Sequence, residues 1–199
     1  MSTIDFKKEF PELYKGKADW VEVKVPPRKM LWLDGRGNPN APEFGEAVGA
    51  LYSIAYGLKF FYKKAARDDF KVPPLEALWD IRRSNTIDDA DWSAMLPVPD
   101  FVTKKNVAAI VASVSAKKSN SRFADLQLIT YKEGLSLQCL FVGPYRDEAP
   151  VIADLHDNVI PERGLEETGW HHEIYLSDPN KSAPEKLKTL LRQPVKRIR

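Results

Sequence analysis

The residues of this chain best suited to chemistry lie together near its carboxyl end, in the stretch WHHEIYLSDP at 170–179. The alternation of that stretch predicts a β-strand that ends at Ser-Asp-Pro. Because successive side chains of a strand point to opposite faces, Glu173 shares one face with His171 and Tyr175. If that face lines a cleft, the Glu173 carboxylate would attract a cationic or polarisable ligand.

The other face of the same strand is mostly apolar, since it carries His172, Ile174 and Leu176. We expect this second face to pack under helices and Glu173 to face the opposite, cavity-forming side of the sheet. The alternative is that Glu173 is an ordinary strand residue with an ion-pair partner, because charged side chains in strands usually reach water.

Amphipathic segments predict the helices that would support this strand. The first spans about residues 40–64 with Asn40 as its N-cap, the second follows Asp100 as its cap, and the third lies in EAPVIADLHDNVI. Alternating runs predict strands at about 29–34, 70–83 and 91–100, a hairpin that turns at 132–134, and a last strand near 187–197.

The two halves of the chain show a weak internal repeat, in which a strand, a helix and two further strands follow in the same order. Glu76 and Glu173 lie at the same distance before a proline, Pro97 and Pro194. We therefore predict an α+β fold of duplicated β-α-β-β modules, about 20–118 and 123–199, within one domain over 1–199. The modules would form a largely antiparallel sheet with helices on one face and a ligand cleft near the pseudo-twofold, with Glu76 facing that cleft opposite Glu173.

Aromatic side chains are the candidates for the walls of the cleft, because they add dispersion and cation–π attraction to a flat ligand. The alternative for each of them is packing in the core. The candidates for ligand binding are Glu76 and the rings of Tyr56, Trp79, Trp92 and Tyr145.

The composition excludes several classes of protein. The 199 residues include 30 Lys and Arg against 28 Asp and Glu, a formal net charge of +2 that does not predict a nucleic-acid or membrane partner. The first residues, MSTIDFKKEFPELYKG, do not resemble a secretion signal, and no apolar run is long enough for a membrane span. With Cys139 as its single cysteine, the protein is expected to be cytosolic.

Three other kinds of site are weaker interpretations. His171 and His172 are neighbours on a strand, so they diverge and do not readily share a metal ion, and we predict no metal or organic cofactor. Cys139 lies within a predicted strand, where a buried, inert thiol is more common than a nucleophile. The basic end LRQPVKRIR fits an ordinary strand with a solvated face as well as a nucleic-acid patch.

From about residue 20 to the end, the chain resembles the GyrI-like small-molecule-binding domain family, in particular its standalone members. The resemblance lies in WLDGRGNPN, ALYSIAYGLKF, VPPLEALW, PDFVTKKNV, VGPYRDEAP and, above all, HHEIYLSDPNKSAPEKLKTLLRQP at 171–194. It implies a duplicated β-α-β-β fold with a cleft near the pseudo-twofold, and a glutamate in the final module, here Glu173, that meets lipophilic and often cationic ligands. Members of the family serve as sensor domains of transcription activators, as gyrase-protecting proteins and as hydrolases that open cyclopropane-bearing, DNA-alkylating natural products.

The chain departs from the family pattern at three places. The roughly 20 residues before the matching region are too few for a DNA-binding helix-turn-helix, which argues against a transcription factor. Phe141-Val142 and Asp80 replace residues that are usually His-Ile and aromatic in the family, so the identity of the ligand does not transfer.

The resulting hypothesis is a standalone binding protein for bulky, flat, lipophilic or cationic molecules that hydrolyses a strained electrophilic ring. In it, burial among aromatic rings raises the pKa of Glu173, which acts as general base on a water oriented by Tyr175 or His171. The alternative is a non-catalytic module that sequesters small molecules or protects a target protein such as gyrase.

Overall fold

The computed structural model describes residues 3–65, 68–81 and 89–198, and its central feature is a large antiparallel sheet. Two short strands, β1 (Thr3–Ile4) and β4 (Asp69–Phe70), form a separate parallel pair. The strands of the main sheet within the described residues are β2 (Val21–Val25), β3 (Arg28–Arg36), β5 (Glu76–Trp79), β6 (Asp91–Pro97), β7 (Gln127–Tyr131), β8 (Gly134–Val142), β9 (Leu165–Glu167), β10 (His171–Tyr175) and β11 (Lys188–Arg197).

The strand order across the main sheet is β2-β8-β11-β10-β5-β6-β3-β7, with β9 added beside β11. The strands β5 and β10 meet at the centre, and the order outward from them is β6, β3 on one side and β11, β8 on the other. This confirms the predicted α+β fold with a largely antiparallel sheet. The strand order is compatible with two β-α-β-β modules, while the duplication itself stays a prediction.

The predicted hairpin at 132–134 is wrong, because β7 pairs with β3 whereas β8 pairs with β2 and β11. The β2–β3 segment bends at Pro26-Pro27, the β7–β8 segment bends beside it, and the ladder keeps one register on both sides of the bend. Glu133, in the second bend, is buried and accepts from His172 and Arg192. A local turn pattern did not reveal these long-range partners, which hold the bend.

The long helices cover the face of the sheet that carries Ala77, Ala94 and Leu191. The helices are α3 (Pro42–Lys64), α4 (Lys104–Ser115), and α5 (Ala149–Asp154), which continues through a π-helical turn (Leu155–Val159) into α6 (Ile160–Glu162). Their starts differ from prediction: α3 begins after Ala41 with no side-chain cap, and Thr103, not Asp100, caps α4 by accepting from the Asn106 amide. None of the helices in the described ranges is long and apolar enough to cross a lipid bilayer.

The opposite face of the sheet is partly covered by two short helices that the sequence analysis did not predict, α1 (Phe6–Glu9) and α2 (Pro11–Tyr14). Leu13 and Tyr14 pack there against Ile174 and Leu190. The prediction that Ile174 and its neighbours on that face pack under the long helices is therefore wrong, and Glu173 lies on the side that the long helices cover. The apolar cover for Ile174 comes from the first 14 residues.

Candidate functional site

Glu173 lies near the middle of the sheet, on the central strand β10, and its backbone is paired with Ala77 of β5 and Leu191 of β11. Its side chain is only 7% exposed. Burial raises the pKa of the Glu173 carboxyl to about 7, and this effect outweighs the opposing influence of Tyr175 and His172. Because Ala77 and Leu191 offer no polar group to the carboxylate, the acid is poised to exchange a proton near neutral pH.

A second buried acid, Glu148, lies beside Glu173. It immediately precedes α5 and is 3% exposed. Burial and the charge of Glu173 raise the pKa of Glu148 to about 8, and Thr189 opposes that rise. The two carboxyls therefore titrate as a pair, since ionising one makes ionising the other more costly. Glu148 is not among the site residues predicted from the sequence, although it falls in VGPYRDEAP, one of the stretches that carry the family resemblance.

Tyr175 and Trp79 join this pair of acids on the same face of the sheet. The Trp79 indole Nε1 donates a hydrogen bond of 3.2 Å to the Tyr175 hydroxyl, which lies near the Glu173 carboxyl. Burial and the charge of Glu173 raise the pKa of Tyr175 well above its usual value, so the phenol keeps its proton. It can therefore orient a water or a ligand oxygen beside the Glu173 carboxylate.

Tyr145 forms the outer part of the site. Its ring packs edge-on against Tyr175, with ring centroids 5.6 Å apart and planes at 77°. Tyr145 is partly exposed, and its pKa is raised to about 12 by burial and by Glu148 and Glu173. A ligand that approaches Glu173 along this side would contact this aromatic ring, and the ligand-binding role of Tyr145 stays a prediction.

His171 occupies the same face as Glu173, two residues away on β10, and is fully buried. Burial, together with His156 and His172, lowers the pKa of His171 to about 3, so its imidazole is neutral at physiological pH. Neither ring nitrogen makes a hydrogen bond of ordinary geometry with a described residue. The side chain can thus offer a neutral donor and a neutral acceptor, but the structure does not bring it into a bond with Glu173.

Glu76 does not face the cleft, and that prediction is wrong. It is paired with Ile174 on β10, so it points to the face opposite Glu173. There it is fully buried, with its Oε2 atom 2.9 Å from Arg28 Nη2 and 3.1 Å from His172 Nε2. These partners, chiefly Arg28, hold the pKa of Glu76 well below its usual range despite burial. The equal spacing of Glu76 and Glu173 before a proline therefore did not predict a shared face of the sheet.

Two of the predicted aromatic walls also lie elsewhere. Trp92 is 1% exposed and packs edge-on against Phe44, over Gly35, where even a Cβ atom would lie 2.2 Å from the indole. Tyr56 is 46% exposed and lines a 380 Å³ groove between α3 and α4, in a stacked row with Tyr52 and Phe60. Trp92 is thus a core residue, and Tyr56 belongs to the outer surface of α3.

Neither a reactive cysteine nor a metal site is found among the residues that the structure describes. Cys139 is buried, and burial raises the pKa of its thiol to about 12. Over residues 3–65, 68–81 and 89–198, no group of three or more histidine, cysteine, aspartate and glutamate side chains is arranged to hold a metal ion.

The sequence matches the family model of the GyrI-like small molecule binding domain over residues 20–196, nearly the whole chain. The protein belongs to this family. The family match agrees with the resemblance predicted from HHEIYLSDP and VGPYRDEAP, the two stretches that supply Glu173 and Glu148.

Solved structures support the same assignment. This GyrI-like chain is 36% identical to an uncharacterized conserved protein from Listeria innocua, with a TM-score of 0.89 over 98% of this chain and 100% of that one. It is 37% identical to a hydrolase from Listeria innocua, with a TM-score of 0.86 and the same coverage. The C-terminal domain of EcmrR shares the fold at 11% identity, with a TM-score of 0.64 over 90% of this chain and 98% of that one. Among curated proteins, none matches the sequence.

The pair of raised carboxyl pKa values predicts how the stability of this GyrI-like protein depends on pH. An acid whose pKa is higher in the folded than in the unfolded state stabilises the fold at low pH and loses that contribution as pH rises. Between pH 6.5 and 8.5 we expect the two acids to lower the free energy of unfolding by on the order of 2 kcal/mol. Urea unfolding at several pH values measures this decrease in the free energy of unfolding.

The matched control for this pH series is the double variant Glu148→Gln/Glu173→Gln, which cannot ionise at either position. Its free energy of unfolding should fall less steeply than that of the wild type over the same range. His171 does not affect the comparison, because it is present in both proteins and its lowered pKa contributes equally to both slopes. Equal slopes for the two proteins would mean that the carboxyls titrate normally.

Proposed function

We propose that the protein binds flat, lipophilic small molecules beside Glu173 and hydrolyses a strained, electrophilic ring, such as an activated cyclopropane. The observation that carries this proposal is the neighbouring pair of buried acids, Glu173 and Glu148, with pKa values of about 7 and 8. At neutral pH such a pair holds one carboxylate and one carboxylic acid side by side. Proton acceptor and proton donor are then both available within one site.

The roles follow from the position of the two acids. Glu173 lies near Tyr175 and is the carboxylate that removes a proton from water, while Tyr175 orients that water. Glu148 stays protonated and donates its proton to the substrate. The partly exposed ring of Tyr145 supports the flat part of the substrate, and burial of the acids keeps bulk water from competing for the proton.

The proposed substrate is a cyclopropane conjugated to a carbonyl group, and one water is added to it. The water oxygen bonds to a ring carbon while Glu173 takes its proton, and the strained carbon–carbon bond breaks. The electron pair of that bond moves through the conjugated system to the carbonyl oxygen, which takes the proton of Glu148. Solvent then returns the proton from Glu173 to Glu148, so that the net change is the addition of one water.

Support for hydrolysis, as distinct from binding alone, comes from the 37% identical relative described as a hydrolase from Listeria innocua. That relative is covered over its full length by this chain. The site itself supports acid–base chemistry without another reactant besides water, since donor and acceptor are both side chains of this protein.

The proposal is tested with a spirocyclopropyl cyclohexadienone in large excess over the protein, in water labelled with heavy oxygen. We expect many equivalents of the ring-opened phenol per protein molecule, each carrying one labelled oxygen. Consumption of a single equivalent bound covalently, or unchanged probe held in a stable complex, would instead identify a sequestering protein. Probe opened at the same rate without protein is the background to subtract.

A further inference from the structure

A second cavity, of about 710 Å³, lies on the face of the sheet opposite Glu173. Side chains of β3, β5, β6 and β7 form its wall, and they alternate with the residues that point toward the long helices. Its volume falls within the range of small-molecule pockets. Since β10 and β5 separate this cavity from Glu173, it does not form part of the site described above.

Three half-buried aromatic rings line this cavity: Trp32 on β3, Tyr131 on β7, and Trp170 just before β10. The Trp32 and Tyr131 rings lie 5.5 Å apart at an angle of 45°, so they meet as a tilted pair. Together with Trp170 they pack against Met30, Leu78 and Met95. The rings thus rest on a firm apolar base and keep part of their surface toward the cavity, where a flat molecule can lie against them.

Asp34 supplies a charged anchor at the same place. Its Oδ1 atom accepts from the Trp32 Nε1 at 2.6 Å and from the Ser93 hydroxyl at 2.6 Å. Both bonds end on one carboxylate oxygen, and the Asp34 side chain is exposed. The acid is therefore fixed in position while still able to accept a hydrogen bond from a ligand.

The other acid of this cavity, Glu133, already has a hydrogen-bond partner on each carboxylate oxygen. Its two carboxylate oxygens accept from His172 Nδ1 at 2.8 Å and from Arg192 Nη1 at 3.2 Å. These partners hold the pKa of Glu133 at about 2, below its usual value, despite burial. Lys132 also lines the cavity, which disfavours ligands with several positive charges. Asp34 is thus the carboxylate of this cavity that remains for a ligand, and it can accept from one donor group.

We propose that this cavity is a second ligand site, which binds a flat aromatic molecule that carries an amino group. The aromatic ring packs against Trp32 and Trp170, and the amino group donates to Asp34. The site differs from that of Glu173 in its face of the sheet, in its residues and in its preference for a hydrogen-bond donor.

The probe for this site is an aminoquinoline, which is flat, fluorescent and carries one amino donor. Asp34→Asn keeps an acceptor for Trp32 and Ser93 but removes the charge, and Trp170→Leu removes one ring. We expect each change to weaken binding of the aminoquinoline by about tenfold, the loss of one hydrogen bond or aromatic contact. Quinoline itself, which lacks the amino group that donates to Asp34, should bind about tenfold more weakly to the wild type.

Glu173→Gln is the control that separates the two sites, and it should leave aminoquinoline binding unchanged. Thermal unfolding of each variant checks the fold. Because Asp34 is exposed to solvent, Asp34→Asn is the variant that should disturb folding least. The proposal is overturned if Glu173→Gln abolishes binding, because the probe then occupies the first site. It is also overturned if folded Asp34→Asn and Trp170→Leu both bind the probe as tightly as the wild type.

Discussion

Replacing Glu173 with glutamine is expected to lower the rate of cyclopropane hydrolysis by roughly 100- to 10,000-fold, the usual contribution of a general base. Glutamine has nearly the same shape as glutamate, but it cannot accept a proton from water. Since the wild-type carboxyl has a pKa of about 7 in a buried site, the substitution also removes a group that is costly to ionise. The loss should therefore lie in kcat.

Two further variants show whether this loss reflects the proposed chemistry. Glu148→Gln removes the proton donor, and we expect it to abolish the fall in rate at alkaline pH that the wild type should show as its second acid ionises. Glu166→Gln, on β9 and paired with Lys196 at the surface, should leave the rate unchanged. Measurements of kcat between pH 6 and 9 test both expectations. A Glu173→Gln protein with wild-type turnover would exclude Glu173 as the base.

The alternation of HHEIY was enough to predict which side chains of β10 share a face with Glu173. It was not enough to say which face of the sheet that is. We expected the set with Ile174 to lie under the long helices because it is the more apolar one. In the structure, α1 and α2 cover Ile174. His172 lies on the same face and forms buried ion pairs with Glu76 and Glu133. The polarity of one strand therefore did not reveal which elements pack on each of its faces.

Glu148 and Glu76 also show that the local sequence does not reveal which buried side chains meet in the fold. Nothing local marks Glu148 as a buried acid, because the groups that surround it, Glu173 and Thr189, come from strands far along the chain. Glu76 has a sequence setting like that of Glu173, yet a shift of one residue in strand register reverses the face. The stretches that carry the family resemblance include both glutamates, but only the paired strands of the fold define which side chains meet.

The buried ions on the face opposite Glu173 explain how the first residues of the chain are attached to the sheet. Tyr14 donates to Glu76 at 2.8 Å, and Arg192 donates through Nη2 to the Leu13 carbonyl at 2.8 Å. Gln138 accepts from Arg192 and donates in turn to the Glu12 and Lys15 carbonyls, each at 3.0 Å. Arg192 thus joins α2 to the two strands β8 and β11 and also neutralises Glu133.

Replacing Arg192 with methionine is therefore expected to lower the free energy of unfolding by about 3 to 5 kcal/mol, the usual cost of removing one partner of a buried ion pair. Arg192 is fully buried, and methionine fills much of its volume without its charge. The change leaves Glu133 with His172 as its remaining cationic partner and the Leu13 carbonyl without its donor. Urea unfolding measures the loss, and faster proteolysis within the first 20 residues should accompany it.

The matched control is Arg197→Met, on the same strand. Arg197 pairs with Glu22 at 2.8 Å at the surface, so its loss should cost less than about 1 kcal/mol. Adding Glu133→Gln to Arg192→Met should recover part of the stability, because position 133 then no longer carries a buried charge that has lost its arginine partner. If Arg192→Met and Arg197→Met had equal effects, the buried ions would not hold α2 to the sheet. The stability of that face would then come from the packing of Leu13 and Ile174 alone.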